Sequence, residues 1–175
     1  MVYIFLANGF EDVEAIQPRD LLLRAGIKVT TVGVGAKTVK SAFGLTVTAD
    51  ITEDELNLAD ADAVVFPGGM PGAANLAASP TVKNAIAFAL EHNRVIGAIC
   101  AAPGVVLANT GALSGKNYTC FPGFEVSEGN YTAAKVERDG NLVTGNGPAA
   151  AAEFAAAVAG AISPKAEDLI RKMYK

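Results

Sequence analysis

The stretch Arg94-Val-Ile-Gly-Ala-Ile-Cys100-Ala-Ala-Pro-Gly-Val-Val-Leu-Ala-Asn109 puts a thiol where a Val- and Ile-rich run gives way to small residues. Pro103 suits the first turn of a helix, so the pattern predicts a buried strand, a sharp turn at Cys100 and a helix running to Ala108. Such an elbow holds its central side chain out at the end of the sheet, beside the free N–H groups of the new helix. Ala101 and Ala102 leave room around the sulfur, and helix N-termini lower thiol pKa values. Cys100 is therefore expected to ionise easily and to act as a nucleophile. The alternative on these residues alone is a small hydrophobe packed between strand and helix.

Three carboxylates, Glu11, Asp12 and Glu14, follow the Asn8-Gly9 turn. Glu11 and Asp12 straddle a helix start, where carboxylates cap the chain and are favoured by the dipole. Glu14 lies one turn further in. If it faces the sulfur, burial would raise its pKa until it can donate a proton to a thiolate and serve as a general acid/base. In the turn Pro67-Gly68-Gly69-Met70-Pro71-Gly72, Gly68 and Gly69 can bring backbone N–H groups close to a ligand. With the N–H of Ala101 they would form an oxyanion site, although a Pro-Gly-Gly turn alone is usually only a turn. Cys120 is read as a packing residue, the alternative being a resolving thiol for an oxidised Cys100. The single histidine, His92, sits in the turn Glu91-His-Asn-Arg94 and is expected to be exposed, which argues against a Cys–His dyad.

These residues need a scaffold, and the chain alternates accordingly. Val2–Leu6, Ile27–Val34, Ala63–Phe66 and the run before Cys100 read as strands. Asp12–Arg24 reads as a helix with Ala15, Ile16, Leu22 and Leu23 inward, a kink at Pro18 and a stop at Ala25-Gly26. Extended pieces flank Gly44, a helical turn covers Glu53–Ala59, and Thr81–Glu91 reads as a helix. Tyr118–Phe121 and a hairpin around Asp139-Gly140 precede an Ala-rich helix to Ile162 and a short helix opened by Pro164. Strands alternating with helices imply a parallel sheet covered on both faces, with function just beyond the strand ends.

With 175 residues, 51% of them hydrophobic, the chain is expected to form one domain spanning residues 1–175. A net charge of −4 with scattered basic residues gives no nucleic-acid footprint. Residues 95–115 carry no charge, but Gly97, Pro103, Gly104, Asn109 and Gly111 interrupt them too often for a membrane span. The N-terminus reads as a first strand and not as a signal peptide, so a cytoplasmic location with free thiols is expected. No spacing resembles a metal site, and Gly33-Val-Gly35 lacks the rest of a dinucleotide fingerprint. No Gly-x-x-x-x-Gly-Lys loop supports phosphoryl transfer.

Five motifs stand in register: Gly9-Phe-Glu-Asp-Val-Glu14, Val65-Phe-Pro-Gly-Gly69, Ala98-Ile-Cys-Ala-Ala-Pro103, Thr119-Cys-Phe-Pro122 and Thr144-Gly-Asn-Gly-Pro148. Together they resemble the ThiJ/PfpI superfamily, and within it the DJ-one, parkinsonism-associated deglycase branch. The resemblance implies a flavodoxin-like α/β sandwich, a homodimer, Cys100 on a nucleophile elbow and Glu14 as a buried acid hydrogen-bonded to it. It also implies an anion pocket lined by the amides of Gly69 and Ala101. Many relatives place a histidine where this chain has Cys120, and several carry a basic residue where it has Phe43. The first departure weakens a protease or glutaminase reading; the second implies different dimer contacts. The implied activity is glyoxalase chemistry on small 2-oxoaldehydes such as methylglyoxal, without metal or cofactor, or repair of their adducts. The alternative is a non-catalytic, redox-sensing chaperone that signals through sulfinate formation at Cys100.

Overall fold

In a computed structural model, which describes residues 1–174, the chain runs β1 (Val2–Leu6), α1 (Asp12–Arg24), β2 (Val29–Gly33), β3 (Thr38–Lys40), β4 (Thr46–Thr48), β5 (Ile51–Thr52) and β6 (Ala63–Phe66). It continues through α2 (Gly72–Ala78), α3 (Pro80–Glu91), β7 (Val95–Ile99), α4 (Ala102–Val105), β8 (Asn117–Tyr118) and β9 (Asn130–Tyr131). The last elements are β10 (Val136–Asp139), β11 (Leu142–Gly145), α5 (Ala151–Ile162) and α6 (Pro164–Met173). Seven strands form the main sheet in the order β10-β11-β7-β6-β1-β2-β5. All its pairings are parallel except the β10–β11 hairpin.

The buried strands send alternate residues to opposite faces, as a pleated backbone requires. Tyr3, Phe5, Val64, Phe66 and Ile96 join Ala73 and Leu76 of α2 and Val82, Ile86 and Ala89 of α3 on one side. Val2, Ile4, Leu6, Val65 and Val143 join Leu21 and Leu22 of α1, Phe154 and Val158 of α5, and Ile170 of α6 on the other. The result is a flavodoxin-like three-layer α/β sandwich. Its strand order reverses between β1 and β6, which opens a crevice at their carboxyl ends. No helix among the described residues is long and apolar enough to cross a membrane.

Several sequence expectations are corrected. Ile16 and Leu23 do not face inward; they are 37% and 40% exposed, while Pro18 and Leu21 take the buried positions of α1. The helix after Cys100 ends at Val105 and does not reach Ala108. Thr119–Phe121 is not strand; only Asn117–Tyr118 pairs, in parallel with Asn130–Tyr131. A helix over Gly72–Ala78 was not expected from the sequence.

Candidate active site

β7 delivers Cys100, the head of α1 delivers Glu14, and the turn after β6 delivers Gly68 and Gly69. These elements surround the carboxyl ends of neighbouring strands, on the β6 side of the crevice.

Cys100 adopts φ 64°, a left-handed backbone that costs a non-glycine residue about 1–3 kcal/mol and persists only where its surroundings enforce it. Two contacts do so. The Cys100 N–H donates to the Gly145 carbonyl at the end of β11, and the Cys100 carbonyl accepts the Phe121 N–H, each at 2.8 Å. The segment carrying Phe121 is itself tied down: the Thr119 N–H donates to Thr144 Oγ1 at 2.9 Å, and the Thr119 hydroxyl donates to the Ala134 carbonyl at 2.6 Å. Both threonines are buried. Sequence reasoning did not single them out as positioning residues, although both stand inside the motifs. Their only signal is a buried hydroxyl that needs a partner, which shows once burial is known.

At the head of α1, the Glu14 N–H donates to the Glu11 carboxylate at 2.8 Å, so Glu11 caps the helix as expected. Asp12 instead accepts the Ser41 hydroxyl at 2.8 Å and ties the β3–β4 hairpin to the helix start. Glu14 points inward and is wholly buried. Its Oε2 accepts the Gly68 N–H at 2.9 Å. Oε1 is buried without a hydrogen-bond partner of good geometry, and the Cys100 thiol is the polar group beside this carboxyl. Burial pushes Glu14 up to about 7; the thiol and the Gly68 N–H hold it back, and the Glu11 charge adds to the rise. A carboxyl that titrates near neutrality can both give and take a proton there.

The thiol itself corrects an expectation. Cys100 is half-buried, and next to a charged Glu14 it is pushed up to about 12. Burial is the main cause, followed by the charge of the adjacent Glu14 carboxyl, while the N–H groups of Gly69 and Ala101 pull the other way. The helix expected to ease ionisation has four residues and a correspondingly small dipole, which burial of the thiol and then the Glu14 charge outweigh. The thiolate therefore belongs to the state in which Glu14 holds the proton, because a neutral carboxyl removes the charge that opposes it.

Gly69 and Ala101 thus present their amides to the sulfur, whereas Gly68 does not; its N–H is taken by Glu14. The role of Gly68 is one of space. A Cβ at this position would lie 2.7 Å from the Cys100 Cβ and 2.8 Å from Glu14 Oε2, so any side chain would part the pair. Gly69 has φ 81°, which glycine adopts at no steric cost, and a Cβ there would lie 2.5 Å from the Glu11 nitrogen. Cys120 is wholly buried in the same core cluster as Tyr118, which supports its reading as a packing residue. Burial and the Glu125 charge push its thiol up to about 11. His92 is exposed at the C-terminus of α3, stacked on Phe88 at the far end of β7 from Cys100.

A three-layer sandwich that carries a strained cysteine between strand and helix, with a buried carboxyl against it, defines the class of nucleophile-elbow α/β proteins. Residues 1–161 match the DJ-1/PfpI family, and the chain belongs to that family. It is 37% identical over 167 residues to protein dj-1beta of Drosophila melanogaster, covering 93% of this chain and 89% of that one. It is 31% identical over 149 residues to the glutathione-independent glyoxalase DJR-1.2 of Caenorhabditis elegans, covering 83% and 78% respectively. A mutant of a DJ-1 superfamily protein from Salmonella typhimurium has the same fold, with a TM-score of 0.91 at 35% identity over 98% of this chain and 94% of that one. The chain spans only 36% of the longer DJ-1 homolog B of Arabidopsis thaliana.

Proposed function

We propose that this protein is a cysteine-dependent, cofactor-free glyoxalase or deglycase that acts on small 2-oxoaldehydes such as methylglyoxal, or on their protein adducts. The observation that carries the reading is the wholly buried Glu14, fixed through Oε2 by the Gly68 N–H and set beside the Cys100 thiol with its other oxygen unpaired. A relative at 31% identity named as a glutathione-independent glyoxalase supports it.

The chemistry follows from the pair. The thiolate attacks the aldehyde carbon, the C=O electron pair moves to oxygen, and the N–H groups of Gly69 and Ala101 stabilise the charge. The hemithioacetal alkoxide takes the proton that Glu14 holds. Glu14, now a carboxylate, removes the proton from the former aldehyde carbon to give an enediolate and returns it to the neighbouring carbon, while the hydroxyl proton on the former aldehyde carbon passes to the former ketone oxygen, leaving a thioester next to a secondary alcohol. Water hydrolyses the thioester and releases a 2-hydroxy acid with the thiol restored. One carbon is oxidised and its neighbour reduced, so no external electron carrier is required. The protein would work in the cytoplasm as a homodimer.

The amides of Gly69 and Ala101, with a protonated Glu14, could equally hold a sulfinate, which keeps a redox-sensing reading in play. One experiment separates the two: steady-state conversion of methylglyoxal by the wild type, Cys100→Ser and Glu14→Gln, with peroxide-treated wild type alongside and intact masses recorded. Turnover by the wild type, reduced by about 100-fold or more in both variants and lost on oxidation, is the expected result. An inert wild type that gains two oxygens at Cys100 under mild peroxide overturns the enzymatic reading and leaves a redox-responsive thiol protein.

A further inference from the structure

Beyond the reacting pair, the mouth of the site has a distinct chemical character. Phe121, whose N–H holds the Cys100 carbonyl, keeps 44% of its surface exposed, and Met70, next to Gly69, keeps 49%. An aromatic ring and a thioether both offer apolar, polarisable surface to a group that reaches them. The Phe121 ring is not free to swing away: it packs over Gly147, with ring carbons 3.2 and 3.7 Å from where a Cβ would stand. Gly147 lies two residues beyond Gly145, whose carbonyl takes the Cys100 N–H, so the ring is held beside the elbow on its β11 side. Met70 follows Gly69 in the turn after β6. No lysine, arginine or histidine is among the principal groups acting on Cys100 or Glu14, and Glu11 adds negative charge. A substituent that extends from the sulfur toward Phe121 meets apolar surface.

We infer that the site selects 2-oxoaldehydes with an apolar, preferably aromatic, substituent, and that Phe121 is the specificity-determining residue. The inference rests on the glyoxalase reading for its substrate class and deepens it. Burying an aryl group against one aromatic wall is worth about a tenfold preference, the scale of apolar discrimination in enzyme pockets. A carboxylated aldehyde of equal size meets no cation among the described groups that act on Cys100 and Glu14.

The test compares phenylglyoxal with methylglyoxal in two readouts, kcat/KM for turnover and protection of Cys100 against iodoacetamide. Each is referred to the same pair of aldehydes reacting with N-acetylcysteine, which removes their difference in intrinsic electrophilicity. The wild type is expected to favour phenylglyoxal by about tenfold in both, Phe121→Ala to bring the ratio close to that of the free thiol, and Phe121→Leu to restore part of it. A wild-type ratio equal to that of N-acetylcysteine, or one unchanged in Phe121→Ala, overturns the inference. Absence of turnover with either aldehyde overturns the glyoxalase reading alone; the protection ratio still decides whether Phe121 selects the substituent.

Discussion

Glu14 links chemistry to stability. In the unfolded chain it ionises near 4.5, and in the folded protein burial raises it to about 7. Between these pH values the folded state binds more protons than the unfolded state, so stability falls as pH rises through that window and stays lowered above it. The gap amounts to about 3 kcal/mol at 1.36 kcal/mol per pKa unit. Glu14→Gln removes the buried charge and retains the acceptor for the Gly68 N–H. The variant is expected to exceed the wild type by about 3 kcal/mol at pH 8 and to match it near pH 4.5, as read by denaturant unfolding at the two pH values. A difference that does not change with pH would mean that Glu14 is ionised in both states. That this carboxyl is an acid set deep in the protein was only a conditional reading of its place one turn inside a helix start and came from the family resemblance of the Gly9-Phe-Glu-Asp-Val-Glu14 motif. The destination of the Gly68 amide was not legible, because it depends on how closely a side chain 54 positions earlier approaches the turn.

At the level of elements, the elbow stands because two separate pieces of chain hold one strained residue. β11 takes the Cys100 N–H through Gly145, the segment after β8 takes its carbonyl through Phe121, and Thr144 joins those two holders. Thr144→Val leaves the buried Thr119 N–H without an acceptor, at a cost of about 1–3 kcal/mol. It should also raise the rate at which iodoacetamide reaches Cys100, whereas Thr144→Ser should retain both wild-type values. An alkylation rate unchanged in Thr144→Val would show that Gly145 alone fixes the elbow. Elements with strong periodicity and clear punctuation were readable in the sequence: β6 over Ala63–Phe66, and α1 from Asp12 to the Ala25-Gly26 stop. The failures have local causes. α2 is seven residues of mostly alanine and glycine with little contrast between its faces. The helix after Cys100 is interrupted by Gly104 and the β-branched Val105-Val106, and Asn109 at φ 61° then turns the chain.

Across the whole molecule, the exposed faces of Ile16 and Leu23 that periodicity had placed inside become informative. Val13 and Ile16 on the outer side of α1 line a cleft with Leu45 of the β3–β4 hairpin, rimmed by Asp12, Gln17 and Asp20. Phe43, 81% exposed at the hairpin tip, extends the same apolar surface. The hairpin is fastened to the helix start by the Ser41 hydroxyl on Asp12 and by the Ala42 N–H on the Phe10 carbonyl, so the surface is one rigid unit. A contiguous apolar face on a protein of modest negative charge is where a second copy would pack, two α1 helices meeting about a two-fold axis. Phe43 would then contribute apolar area to the pairing. Ile16→Glu places a charge at the centre of this face and, through Glu11, Asp12 and Asp20 nearby, adds repulsion between copies. Sedimentation is expected to give a dimer for the wild type and half that mass for Ile16→Glu. A monomeric wild type, or a variant that remains dimeric, rules out this face as the dimer interface. Because α1 carries Glu14 on its opposite side, monomerisation should also lower turnover even though Ile16 is remote from the sulfur. A loss in kcat with little change in KM would show that pairing stiffens the helix that positions the acid.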